Sequence, residues 1–342
     1  MELSTHNPIL IIGAGVGGLS IGTLLVKDGF KIRVFEKSGK LGGRTASMEF
    51  RNHILDNGFH IMPFYKKSAI YDVLKSANIV SELKLAIVDK IAFFDGNFHT
   101  YPKGIGDILK MSLIPLKSRF SLLKILLPMA FTSMAKAEQL DQTPLTEATK
   151  KLDSHSKTFF DAVCMLAFAD TADHISLGEF ARTIIRANPF KGGTSEFAYP
   201  DMGGYDQISQ VMGNYIQENN SEIHIETPIK KILVKDSCVT GVLLSDGKII
   251  ESDCVIVSYP AYHAINQLFD EGVFDDDFIK HTNRLNKTTS VVEVHFALSK
   301  QIDTRQVVFP VGDNYTSKGI FFISNITPSV SPKGEHLIIV GT

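Results

Sequence analysis

The chain opens on a run of apolar positions, Ile9-Leu10-Ile11-Ile12, that stops at Gly13-Ala14-Gly15-Val16-Gly17-Gly18. Four apolar residues bounded by glycine predict a strand buried on both faces. The period then changes. Leu19, Leu24, Leu25 and Val26 predict a helix with one buried side, stopped at Asp28-Gly29. Residues 31–35 predict a second strand, with Glu36 at its carboxyl end. Further on, apolar positions 91–94 and Phe98 flank Asp95-Gly96-Asn97, the pattern of a hairpin. Residues 105–137 are rich in Leu, Ile, Met and Phe and predict a helix pair broken near Pro115 and Pro128. Helical spacing returns over 145–151, 158–169 and 176–186, where Ser176 and Glu179 stand as a capping box. The turn Tyr199-Pro200-Asp201-Met202-Gly203-Gly204 leads into a helix over 205–217. Short strands follow at 223–225, 229–234, 239–244, 249–250 and 254–257. After a helical stretch from Ala261, alternation over 290–298 and apolar runs at 306–310 and 319–324 predict an antiparallel sheet, with a last strand at 337–340.

At 342 residues the chain suits two interlocked domains. With 44% apolar and 21% charged residues it has the balance of an ordinary globular protein. A formal charge of −2 gives no global reason to expect nucleic acid. Cys164, Cys238 and Cys254 are far apart and lack metal-ligand spacing, so they read as reduced structural thiols, with no metal expected. Residues 1–8 have neither a basic start nor an apolar core, and no apolar run reaches the roughly 18–20 residues of a membrane span. The expectation is a cytoplasmic protein. One stretch qualifies it: Ile108 to Ala137 holds five basic residues and no acidic one. An apolar segment with only basic charge suits the interface of an anionic membrane, so 105–137 could make a peripheral membrane contact. The plainer alternative is a helix pair packing its apolar side inward, and the two can coexist.

The chemistry begins at the glycines. Gly13, Gly15 and Gly18 have the GxGxxG spacing between a strand and a helix, with Gly17 in the same turn. In that setting the first makes a tight turn, the second lets backbone approach a pyrophosphate, and the third allows close helix–strand packing. The pyrophosphate sits on free N–H groups at the helix start. Glu36 lies 18 residues beyond Gly18, close to the offset of the acid that binds a ribose hydroxyl. A carboxylate there repels a 2′-phosphate, which disfavours NADP; the alternative is a surface Glu at a strand end. NAD and FAD stay equal to this point. The next residues, Lys37 and then Leu41-Gly42-Gly43-Arg44, followed by Asp56-Asn57-Gly58-Phe59-His60, supply a second glycine cluster and a forked cation. NAD-linked dehydrogenases have no need of it, so the balance turns to FAD. Asp170, Asp173 and His174 form a polar cluster that reads as helix capping, with acid–base or metal chemistry as the alternative.

With these residues in place, the sequence resembles the FAD-dependent amine oxidase and phytoene desaturase superfamily, tightly over 9–44 and more loosely over most of the chain. The resemblance implies an α/β fold: a Rossmann-like FAD-binding domain with a discontinuous α+β substrate domain. It implies FAD-domain segments at 1–64 and 199–264, a mainly helical substrate segment at 65–198, and a substrate-domain sheet at 265–342. It implies FAD contacts from Gly13, Gly15, Gly17, Gly18, Glu36, Lys37, Gly43, Arg44 and Gly58, and from the backbone of Ile229 to the adenine. His60 is the candidate side chain beside the flavin, with a structural role as the alternative. The implied reaction is hydride transfer between a carbon of a carotenoid or isoprenoid substrate and flavin N5. An amine oxidase is the first alternative. The absence of Trp and the alignment of Glu293 with a lysine of the amine-oxidising members argue against it. The second is a non-enzymatic binder of prenylated protein, of the GDP-dissociation-inhibitor type. In this superfamily a late Gly-Asp motif before a helix completes the flavin site; Gly312-Asp313 stands in a polar loop instead. The resemblance therefore implies that a carboxyl-terminal FAD segment is missing from these 342 residues, and that they alone bind FAD weakly or not at all.

Overall fold

The computed structural model describes residues 7–58, 61–63, 65–188, 196–286, 290–312 and 314–342. Strand β1 (Ile9–Ile12), helix α1 (Val16–Lys27) and strand β2 (Ile32–Phe35) form where the apolar pattern predicts them. The helix ends at Asp28, and Gly29 takes φ +89° to turn the chain. Strand β1 lies inside a four-stranded parallel sheet, between β2 and the strand Val255–Val257, with Glu222–His224 outside β2. Its residues alternate between two cores. Ile9 and Ile11 join Leu19 and Val34 in the main core, whereas Leu10 and Ile12 join Phe35, Ile232 and Val242 in a second one. That second core is the underside of an antiparallel three-stranded sheet, Ile229–Lys235, Cys238–Leu244 and Ile249–Glu251. Helices α1 and Gln207–Glu218 cover the opposite face, so the layers are helix, parallel sheet and antiparallel sheet. Burial on both faces is why β1 carries no polar position.

The hairpin that follows β2 comprises β3 (Ser47–Phe50) and β4 (His53–Asp56). Asp56 is the last residue of β4, so the segment 56–58 leaves the hairpin at its open end.

A second sheet has six strands in the order 293–298, 336–341, 319–321, 307–310, 91–94 and 98–100. The hairpin around Asp95-Gly96-Asn97 forms as expected. The sheet is not purely antiparallel: Val307–Pro310 runs parallel to Ile91–Phe94. These partners lie some two hundred residues apart, and parallel pairs need a long crossover instead of a turn, so no local signal marks the pair. The segment expected to be mainly helical thereby lends two strands to the late sheet. The strand expected over 319–324 stops at Phe321, and a 3₁₀ turn at Ile323–Asn325 replaces its end.

Helices Leu116–Phe131, Ser154–Phe168 and Leu177–Ala187 pack over this sheet into the main core. Pro128 does not break the first of them; the helix runs three residues past it. Proline in a last turn removes one internal hydrogen bond and leaves the turns before it intact. Ser176 caps the third helix by accepting from the Glu179 N–H at 3.0 Å.

Candidate functional site

The turn after β1 is closed by contact between two glycine-rich stretches. Gly13 adopts φ +102°. A Cβ on Gly18 would stand 2.0 Å from the Gly13 carbonyl oxygen, so helix and turn are too close for any side chain. Gly15 forms a bridge with Gly42, and the Gly42 N–H donates to the Ala14 carbonyl at 2.8 Å. Gly42 and Gly43 both take positive φ, at +103° and +59°, and a Cβ on Gly43 would touch Gly15 Cα at 3.4 Å. A Cβ on Gly17 would lie 3.2 Å from Ser258 Oγ, so the end of the strand 255–257 closes the other side of the turn. The two clusters are thus one cradle with backbone on its surface. It sits at the carboxyl end of the parallel strands, where such sheets receive ligands.

Glu36 is buried at the rim of that cradle. One carboxylate oxygen accepts from the Ala14 N–H at 2.8 Å, and the other from the Ser38 N–H and hydroxyl, each at 2.9 Å. A carboxylate has about four lone-pair sites, so acceptor capacity remains for a hydroxylated ligand. Ile229 comes to the same rim, because the Thr227 N–H donates to the Glu36 carbonyl at 2.8 Å. Arg44 lies in the 3₁₀ turn Gly43–Thr45, Lys37 is exposed beyond Glu36, and Gly58 follows the hairpin. The structure therefore gathers Gly13, Gly15, Gly17, Gly18, Glu36, Gly43, Arg44 and Ile229 around one turn. His60 falls outside the described residues. In the Asp170–His174 cluster, His174 Nδ1 bonds Asp170 at 2.9 Å just past the end of the helix Ser154–Phe168.

A second buried carboxylate, Asp56, has a role that sequence reading missed. It accepts from Ser47 Oγ at 2.6 Å, from the Tyr205 N–H at 2.9 Å and from the Tyr199 hydroxyl. A Cβ on Gly204 would fall 2.0 Å from Ser47 Oγ and 2.6 Å from Asp56, so the turn 199–204 packs directly onto this pair. Burial, with the Asp56 charge beside them, pushes both Tyr199 and Tyr205 above the ordinary phenol range. The signal available in sequence was a lone acid following the apolar pair Ile54-Leu55.

Beyond the cradle lies a cavity of about 740 Å³. Val16 and Thr45 form its cradle end. Its walls come from Val163, Leu166 and Phe168, from Thr183, Ile184 and Ala187, and from Phe309 and Phe321 of the six-stranded sheet. Tyr205 reaches it from the Asp56 network, and Glu293 lines it on the sheet side. The size is that of a small-molecule site, mostly apolar with a few polar groups. This arrangement can hold an extended cofactor in the cradle and an apolar molecule against it. The glycine surface and the acceptor at Glu36 fit a flavin dinucleotide.

Comparisons with known proteins agree with that geometry. Residues 16–342 match the family described as flavin containing amine oxidoreductase. A 4,4'-diapophytoene desaturase of Methylomonas sp is 22% identical over 94% of this chain and 68% of its own length. A phytoene desaturase of Fusarium fujikuroi is 23% identical over 97% of this chain and 65% of its own. The chain thus spans about two thirds of the length of these curated relatives. The crystal structure of an oxidoreductase from Methanosarcina mazei has the same fold, with TM-score 0.79 and 21% identity over 97% of this chain and 78% of that one. The chain belongs to the family of flavin containing amine oxidoreductases.

Proposed function

We propose that the protein is an FAD-dependent oxidoreductase of the phytoene desaturase type, acting on a hydrophobic isoprenoid or carotenoid. The observation that carries this reading is the continuity of the glycine cradle with a largely apolar cavity. The names of the two relatives support the substrate class. In this reading the N–H groups at the start of α1 receive the pyrophosphate and Glu36 receives the adenosine ribose. Lys37, Gly43, Arg44, Gly58 and the backbone of Ile229 complete the FAD contacts, and His60 is the candidate for steering a proton. When bound, the flavin supplies a two-electron acceptor for hydride from a substrate carbon. The chain's own part is to hold the substrate, orient it and keep water out, which Phe168, Phe309 and Phe321 are placed to do.

Peripheral contact with a membrane on its cytoplasmic side belongs to the same proposal. On the helix Leu116–Phe131, Leu122 and Leu126 are buried, while Leu116 is 57% and Phe120 54% exposed beside Lys117 and Lys124. Among the described residues no helix is long and apolar enough to cross a membrane.

The test is the visible spectrum of the purified full-length protein, followed by anaerobic addition of phytoene. Bound flavin that bleaches with phytoene supports the reading. A flavin that bleaches with putrescine and not with phytoene transfers the protein to the amine oxidases. A colourless protein that binds prenylated peptides overturns it for the binder.

A further inference from the structure

Tyr101 follows the strand Phe98–Thr100 and lines the cavity. Its place is set from both sides. The backbone N–H donates to the Ile91 carbonyl at 3.0 Å, and the ring packs on Phe93 at 5.8 Å and Phe197 at 6.0 Å between centroids. Its hydroxyl has no hydrogen-bond partner among the described residues. Burial alone pushes the phenol up to about 12, so the group is a neutral donor across the physiological range. A hydroxyl withdrawn from water normally finds a partner, because leaving it unpaired costs about 1–3 kcal/mol. Tyr199 obeys that rule by donating to Asp56. Tyr101 is only half-buried and its hydroxyl opens on the ligand-sized cavity, so its partner comes from what fills that cavity, water or a ligand oxygen.

We propose that Tyr101 is a specificity residue whose hydroxyl donates a hydrogen bond to an oxygen atom of the substrate. The cavity then prefers an apolar chain bearing a hydroxyl or carbonyl group to the bare hydrocarbon. This rests on the reading of the cavity as the site of an isoprenoid substrate and narrows its class. The division of labour is physical. Val163, Phe309 and Phe321 remove the chain from water without choosing its register, and directional donors set among them, here the Tyr101 hydroxyl, choose it. A hydrocarbon in the same place leaves the phenol unpaired, which turns the missing partner into discrimination.

The test uses binding, independently of turnover. The linear polyene lycopene and its terminally hydroxylated derivative are titrated, in the same detergent micelles, into the flavin-loaded full-length protein, and the shift of the polyene absorption band is followed. The wild type is expected to hold the alcohol about 3- to 10-fold more tightly than the hydrocarbon, the scale of one neutral hydrogen bond. Tyr101→Phe keeps the ring and removes one oxygen; it is expected to weaken only the alcohol and bring the two affinities together. Equal binding of both polyenes by the wild type overturns the oxygen contact and leaves the substrate reading standing. A preference for the alcohol that survives in Tyr101→Phe also overturns it. Failure of both polyenes to bind a protein with an intact flavin spectrum overturns the substrate reading together with the contact.

Discussion

Two buried carboxylates, Glu36 and Asp56, stand twenty residues apart in the chain and do different work. Both accept a backbone N–H and a serine hydroxyl. The donors to Glu36 come from its own strand–turn–helix–strand unit, Ala14 and Ser38. Two of those to Asp56 come from Tyr199 and Tyr205, 143 and 149 residues away. Glu36 therefore fastens a local turn, while Asp56 fastens the hairpin next to the cradle to the segment that leads from the strand Phe197–Pro200 into helix Gln207–Glu218. A local carboxylate tunes a site; a long-range one holds two parts of the protein in register.

The comparison breaks most readily at Asp56. Asp56→Ala leaves the Tyr199 hydroxyl, the Tyr205 N–H and Ser47 without their acceptor, so a loss of about 3–5 kcal/mol is expected in urea unfolding. A loss below about 1 kcal/mol would show that water enters and replaces the carboxylate, and the distinction between the two acids would fall. Gly18→Ala comes next. Its Cβ must push the Gly13 carbonyl away, at an expected cost of about 1–3 kcal/mol with loss of flavin binding by absorbance titration. Stability lost with flavin retained would place the pyrophosphate elsewhere.

Tyr199→Phe removes one of the donors to Asp56 and leaves those from Ser47 and Tyr205, and the expected cost is about 1–2 kcal/mol. Combined with Asp56→Ala it should be much less than additive, since both changes break the same bond. Additive losses would mean that the two groups act independently. The smallest effect on stability is expected from Glu36→Gln, about 1 kcal/mol, because the amide can still accept from one of its two sides. Its flavin affinity should nevertheless fall about tenfold or more, measured by fluorescence titration, as the ribose loses a charged acceptor. Equal flavin affinity in the wild type and Glu36→Gln would leave Glu36 a purely structural acid.

The two carboxylates also mark where sequence reading succeeds and stops. The strand, the glycine turn, α1, β2 and Glu36 were legible because each signal and its partner lie within about thirty residues. The apolar run, the glycine spacing and the acid after β2 constrain one another through a single βαβ unit. Capping at Ser176 and the Asp95-Gly96-Asn97 hairpin were legible for the same reason. The parallel pairing of 307–310 with 91–94, the bonds from Tyr199 and Tyr205 to Asp56, and the cavity with Tyr101 in its wall were decided only when distant segments packed. None of these has a period, because hydrogen bonds between segments 150 residues apart depend on how two sheets meet. What the chain alone determined is a glycine cradle between a strand and a helix, and the acid at its rim. What tertiary structure decided is what that cradle faces: a largely apolar cavity of about 740 Å³ with the Tyr101 phenol in its wall, made by packing helices over a sheet drawn from segments some two hundred residues apart.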